Sequence, residues 1–178
     1  VEDYKVVITH GYTKRQALLD SVRPDQPGLG DAAPEHAVSV PMTSPQVIGE
    51  MIPALSGKGT GLMVRVPMPR SFMATLDVTT TKPTTREDIN RLFRQAAEGS
   101  LKGILAYSED GALSSADVIG RPESVLIAGH QTEVSSDGRQ VRVVFWSDNE
   151  YGFAHRVWDL VRLLRNLGSV PQEGAGGG

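Results

Sequence analysis

A chain of 178 residues, 39% hydrophobic and 22% charged, is long enough and apolar enough for one domain with a sizeable core, and it is not of disordered composition. Eighteen Lys and Arg against 21 Asp and Glu leave a net charge of −3, which argues against nucleic acid as the main partner. The chain has no cysteine, so disulfides, thiolate metal sites and a thiol nucleophile are excluded within these residues. No apolar run reaches the ~18 residues of a membrane span and no signal peptide is visible, so the expectation is a cytoplasmic protein.

Residues 4–10 read as a strand, with β-branched Val6, Val7 and Ile8 followed by a polar end at Thr9 and His10. A polar turn follows, and Ala17 to Asp20 is a short helical or irregular piece. From Arg23 to Pro41 the composition shifts: Pro24, Pro27, Pro34 and Pro41 with Gly28 and Gly30 forbid a continuous helix or strand. A loop of that length is functional, lies across an interface, or is disordered. Ser44-Pro45 opens a helix, with Ser44 as the cap and Val47, Ile48, Met51, Ile52 and Leu55 as its apolar stripe. Ser56 to Gly61 forms a turn. It is a poor phosphate loop, because Ile52 stands where that motif needs glycine and Gly59 follows Lys58.

Two strands follow, at 62–67 and 72–80, and the first carries Arg65 among apolar residues. Thr84 and Glu87 fit a capping box for a helix whose inner face is Ile89, Leu92, Phe93 and Ala96. Short strands are expected at 103–108 and 125–128. Residues 133–148 read as a hairpin turning at Asp137-Gly138, with Val141, Val143 and Phe145 on one side and Arg142, Val144 and Trp146 on the other. A final helix runs from about Glu150 to Leu167, followed by a Gly-rich tail over 169–178. The elements sum to an α+β fold: a mixed, mainly antiparallel sheet of about seven strands with three helices on one face. Strand order does not follow from the pattern. The other sheet face needs a partner, because several strands look apolar on both sides.

The polar turn Ser147-Asp148-Asn149-Glu150 between the last strand and the last helix carries a resemblance. Trp146-Ser147-Asp148-Asn149-Glu150-Tyr151-Gly152-Phe153 resembles the signature of phosphorylating glyceraldehyde-3-phosphate dehydrogenases. Further segments agree in order: His10-Gly11-Tyr12-Thr13 with Gln16 and Leu18-Leu19-Asp20; Ile52-Pro53-Ala54-Leu55 with Gly57-Lys58, Thr60-Gly61 and Arg65-Val66-Pro67; and Ala96-Ala97-Glu98-Gly99 with Leu101-Lys102-Gly103-Ile104-Leu105. The resemblance runs over residues 4–164 and is to the catalytic domain alone. It implies a large mixed sheet with helices on one face and a neighbouring subunit on the other. It also implies that loop 23–41 lies along a subunit interface.

The resemblance implies a chemistry. The family oxidises an aldehyde held on a cysteine, passes hydride to NAD, and releases the acyl group to phosphate. By position, His10 matches the histidine that activates the thiol. Thr13 and Arg65 match groups that hold the substrate phosphate, Ser44 a contact to the attacking phosphate, and Asn149 the asparagine that orients the nicotinamide. Read alone, His10 and Arg65 fit structural roles too, and Asn149 a turn or cap. The metal reading has no support, since His36, His130 and His155 lack ligand spacing.

Departures from the family pattern are specific. The nucleophile's place lies upstream of Val1. Ser147 replaces a tyrosine, Pro45 a glycine, Arg15 and Ala17 replace polar pocket positions, and the interface loop lacks its run of arginines. The expectation is therefore a stand-alone, non-catalytic structural or regulatory domain, needing no cofactor of its own. It would assemble through the exposed sheet face and loop 23–41, as a homo-oligomer or with another protein. Two alternatives stand: the C-terminal part of an NAD(P)-dependent dehydrogenase, and a binding module for a phosphorylated metabolite at Thr13 and Arg65.

Overall fold

A computed structural model gives the fold and describes residues 1–14, 16–22, 24, 30 and 32–168. The expected tail at 169–178 and residues 23, 25–29 and 31 of loop 23–41 lie outside the described residues. Eight strands form one mixed sheet: β1 (Asp3–Gly11), β2 (Val38–Val40), β3 (Gly59–Val66), β4 (Phe72–Thr79), β5 (Leu105–Ser108), β6 (Val125–Ala128), β7 (Glu133–Val134) and β8 (Gln140–Ser147). Their order is β2-β3-β1-β4-β8-β6-β5, and β7 pairs with β8 beside that path. Strands β1 and β3 run parallel, as do β5 and β6, and the remaining pairs are antiparallel. With α1 (Ser44–Met51), α2 (Arg86–Glu98) and α3 (Tyr151–Gly168), this is the expected mixed α+β architecture.

The strand missed by sequence is β2. It is three residues long at the end of a proline-rich stretch, and only its pairing with Met63 to Arg65 of β3 makes it a strand. Strand β3 begins earlier than expected, at Gly59, because Tyr4 of β1 crosses over that glycine. A Cβ at Gly59 would sit 2.2 Å from Tyr4 Cζ. The tyrosine is buried, and its hydroxyl donates to the Pro45 carbonyl of α1 at 3.1 Å, so one side chain ties strand to helix.

Helix α1 is capped differently from the expectation. Thr43 is the N-cap, with no side-chain bond, and Ser44 and Pro45 are the first two helical residues. Helix α2 starts one residue later than the Thr84–Glu87 reading. Thr85 caps it, accepting from the Asp88 backbone N–H at 3.1 Å. Ile89, Phe93 and Ala97 then pack on Leu105, Ile127, Val141 and Val143, while Leu92 faces outward. The hairpin turn is as read, with Gly138 at φ 73° between β7 and β8.

Helices α1 and α2 share the face that carries Tyr4, Val6, Ile8 and His10. On the opposite face, the turn Ser115–Val118 puts Val118 against Leu126 and Trp146. Toward β1 and β3 that face is open: Lys5, Val7, Thr60, Leu62 and Arg142 are exposed. Helix α3 is held at its start, where Gly152 packs on the Glu123 carbonyl and Arg156 Nη1 donates to the Gly103 carbonyl at 3.2 Å. Beyond that its apolar residues stay uncovered among the described residues, with Leu163 55% and Leu167 61% exposed.

The Tyr4–Gly59 crossing predicts that Gly59→Ala destabilises the protein by about 1–3 kcal/mol, since the ring is pinned at both ends and cannot retreat. Urea unfolding of the two proteins measures it. Equal midpoints would show that the ring moves aside.

Candidate functional site

The register of four strands builds one line of side chains. Arg65 of β3 pairs with His10 of β1, His10 with Phe72 of β4, and Phe72 with Ser147 of β8. Partners directly opposite in neighbouring strands project to the same face, so the four side chains form a row on the helix-bearing face. The row lies where β1, β3 and β8 end and β4 begins, which is an end of the sheet open to loops. His10 and Arg65, chosen as acid/base and anion-binding candidates, are thus direct neighbours. Phe72, which sequence reading treated as a plain strand residue, sits on the other side of His10.

His10 is half-buried, and its ring stacks on Phe72 with centroids 5.6 Å apart and planes 11° apart. Its Nδ1 is 2.7 Å from the Gly11 carbonyl and 2.5 Å from Arg65 Nη1. One nitrogen cannot satisfy both. As N–H it donates to Gly11; as a lone pair it accepts from Arg65, and Arg65 Nη1 then serves the Gly11 carbonyl itself at 3.1 Å. The first arrangement leaves Nε2 as a lone pair and a base, and the second makes Nε2 a donor. Burial, with the nearby Arg65 charge, outweighs the Gly11 bond and lowers the imidazole below its ordinary 6.5.

Arg65 is half-buried, and no carboxylate lies within 4.0 Å of it among the described residues. Burial works against its charge, which an anion would offset. Thr13 follows two residues after β1 and is half-buried, with its backbone N–H donating to Gln16 Oε1 at 3.2 Å. Ser44 stands apart. Its neighbour Pro45 packs at Gly61, four residues before Arg65 on β3, or about 13 Å along the strand.

The turn after β8 divides its work between two residues. Asp148 is buried and accepts from the backbone N–H groups of Gly120, Glu150 and Tyr151 at 2.8, 2.8 and 3.0 Å. Burial alone would push this carboxyl up. The three N–H donors, helped by Arg70, outweigh burial and hold it below the usual Asp value. It thereby starts α3 and fixes the 115–120 turn. Asn149 Oδ1 accepts from the Ser71 N–H at 2.9 Å. Ser71 is fully buried at φ 76°, a left-handed conformation that a non-glycine residue adopts only when held there. Asn149 therefore fixes the residue that leads into Phe72, and its Nδ2 is left without a partner among the described residues. Ser147 turns its hydroxyl away from the row, onto the carbonyls of Ser124 at 2.8 Å and Asp148 at 3.1 Å. No group of His, Asp or Glu suited to a metal is present among the described residues.

Comparison with known proteins points the same way. A family model described as the C-terminal domain of glyceraldehyde 3-phosphate dehydrogenase matches residues 1–149. A glyceraldehyde-3-phosphate dehydrogenase of Kitasatospora aureofaciens is 38% identical over 164 residues, 92% of this chain and 48% of that protein. One of Geobacillus stearothermophilus is 38% identical over 159 residues, 89% and 47% respectively. Glyceraldehyde-3-phosphate dehydrogenase 1 of Caenorhabditis elegans is 34% identical over 159 residues, 89% and 46%. The chain spans about half the length of the curated relatives it matches.

The lowered imidazole sets a pH dependence. Because the unfolded chain takes up the proton first, His10 contributes stability that is whole above about pH 6.5 and is lost as the pH falls through the folded-state value. Urea unfolding of the protein and of His10→Gln between pH 7.5 and 5 measures it. The protein should lose stability over that range more steeply than the variant, and parallel curves would contradict the assignment.

Proposed function

The chain belongs to the family of the glyceraldehyde-3-phosphate dehydrogenase C-terminal domain, and from that premise we propose that it holds the phosphate of a phosphorylated aldehyde on Arg65 and presents His10 as the acid/base group. The observation that carries this reading is the half-buried Arg65, unpaired with any carboxylate among the described residues, in contact with an imidazole. A guanidinium fork suits a phosphate, and binding one offsets the cost of burying the charge. An anion also draws Arg65 away from Nδ1. The ring nitrogen is then free to donate to Gly11, and Nε2 becomes the lone pair that takes a proton. Substrate binding and base activation are thereby one event. Thr13 is the further phosphate contact of this reading. Ser44, about 13 Å along β3, is not part of the same cluster.

The nucleophile is not among these residues, because the chain has no cysteine. Its thiol proton would pass to His10 Nε2 from a group supplied outside residues 1–178. NAD(P) would supply the hydride acceptor in a complete dehydrogenase of this kind. Asn149 Nδ2, without a partner among the described residues, is the donor available for its carboxamide, while Asn149 Oδ1 is already committed to Ser71. The uncovered apolar residues of α3 support a further body packing there.

A second reading, a non-catalytic structural or regulatory domain, draws on Ser147. Its hydroxyl is bound to backbone carbonyls, so it offers the site nothing from the place where the family has tyrosine. Either reading includes a protein partner on the open sheet face around Lys5, Val7, Thr60 and Leu62 and along the described part of loop 23–41, as a homo-oligomer or a mixed assembly in the cytoplasm. No helix of the described residues is long and apolar enough to cross a membrane.

Calorimetric titration of the 178-residue chain with glyceraldehyde 3-phosphate tests the binding site. Heat of binding is expected, with affinity falling roughly 10- to 100-fold in Arg65→Leu, the loss of one charge-assisted bonding group of about 1.5–3 kcal/mol. Absence of heat at millimolar ligand would contradict the binding site and leave the assembly reading. Binding without NAD reduction by the chain alone is the further expectation.

A further inference from the structure

We infer that Phe72 is the positioning residue for His10, supplying from β4 the aromatic surface beside the imidazole. Three observations converge on this. The first is register: His10 pairs with Phe72 and Phe72 with Ser147, so the phenyl ring stands between them on the helix-bearing face. The second is ring geometry, with planes only 11° apart at 5.6 Å between centroids, an offset stack that covers one face of the imidazole. The third is the fixing of Phe72 itself. It directly follows Ser71, whose φ of 76° and buried N–H are held by Asn149.

Each part has a consequence at the imidazole. A covered ring face hinders the ring flip that would swap Nδ1 with Cδ2, so Nδ1 stays on the Gly11 and Arg65 side. Displacing water from that face also disfavours the imidazolium, which keeps the ring available as a neutral base. Arg65 from β3 is the charged group that touches the ring. Strand β4 presents Phe72, and β8 presents Ser147 with its hydroxyl turned onto carbonyls.

The inference rests on His10 as the acid/base group of the proposed function, but its test reads the imidazole directly and needs no turnover. The 178-residue chain, Phe72→Leu and Phe72→Tyr are compared by nitrogen-15 NMR of the histidine side chains across pH 5 to 8, with His10→Gln assigning the signal. Phe72→Leu keeps apolar bulk on β4 and removes the flat ring. Expected is an upward movement of the His10 midpoint toward 6.5 and convergence of its two ring-nitrogen shifts, as Nδ1 loses its fixed partners and the two neutral tautomers mix, with Phe72→Tyr restoring the wild-type titration and pattern. A Phe72→Leu spectrum in which His10 titrates and resonates as in the wild type would overturn the inference, and so would a Phe72→Tyr variant that behaves like Phe72→Leu. Loss of phosphate binding with His10 unaltered bears on Arg65 alone, so the two proposals fail separately.

Discussion

The strand register at the end of the sheet is the constraint on which the site depends. Arg65, His10, Phe72 and Ser147 come from positions up to 137 residues apart, yet the pairing of β3, β1, β4 and β8 sets them side by side. A slip of one residue in any pair would send that side chain to the opposite face. What protects the register is the packing beneath it. Tyr4 and Val6 lie buried on the face of the row, Tyr4 bonded to α1, and Val141 and Val143 anchor β8 under α2. Core and site are therefore one device: the apolar alternation that hides Tyr4 and Val6 also aims His10.

The turn after β8 locks the row from the other side. Asp148 and Asn149 are neighbours with opposite duties. The first spends its carboxylate on three backbone N–H groups and so begins α3, and the second reaches across to Ser71 and holds a left-handed residue in place. Through Ser71 and Phe72 that bond reaches His10. A residue matched by resemblance to cofactor contact thus has a structural task here, through its Oδ1.

Much of this was legible in the sequence, for physical reasons that can be named. β-Branched residues marked β1, alternation marked β8, Asp137-Gly138 marked the hairpin turn, and the stripe of Ile89 and Phe93 marked the inner face of α2. The motif resemblance singled out His10, Arg65 and Asn149, and the register sets the first two side by side. Strand β2 escaped because three residues among prolines carry no periodic signal. The order of strands escaped because it is a long-range property. Phe72 escaped for the same reason: nothing within a local window connects residues 10 and 72, and only known pairing would have placed a ring there. Ser44, matched by resemblance to a contact of the attacking phosphate, lies at the start of α1, whose Pro45 packs at Gly61.

The central claim is that the Arg65–His10 row receives an anion. The most direct measurement is a titration of the isotope-labelled chain with inorganic phosphate, followed through backbone amide and arginine side-chain NMR signals. The account predicts saturable shifts concentrated at Arg65, His10, Gly11 and Thr13. Shifts centred instead on the open sheet face, at Lys5, Lys58 and Arg142, with the row unmoved, would contradict it.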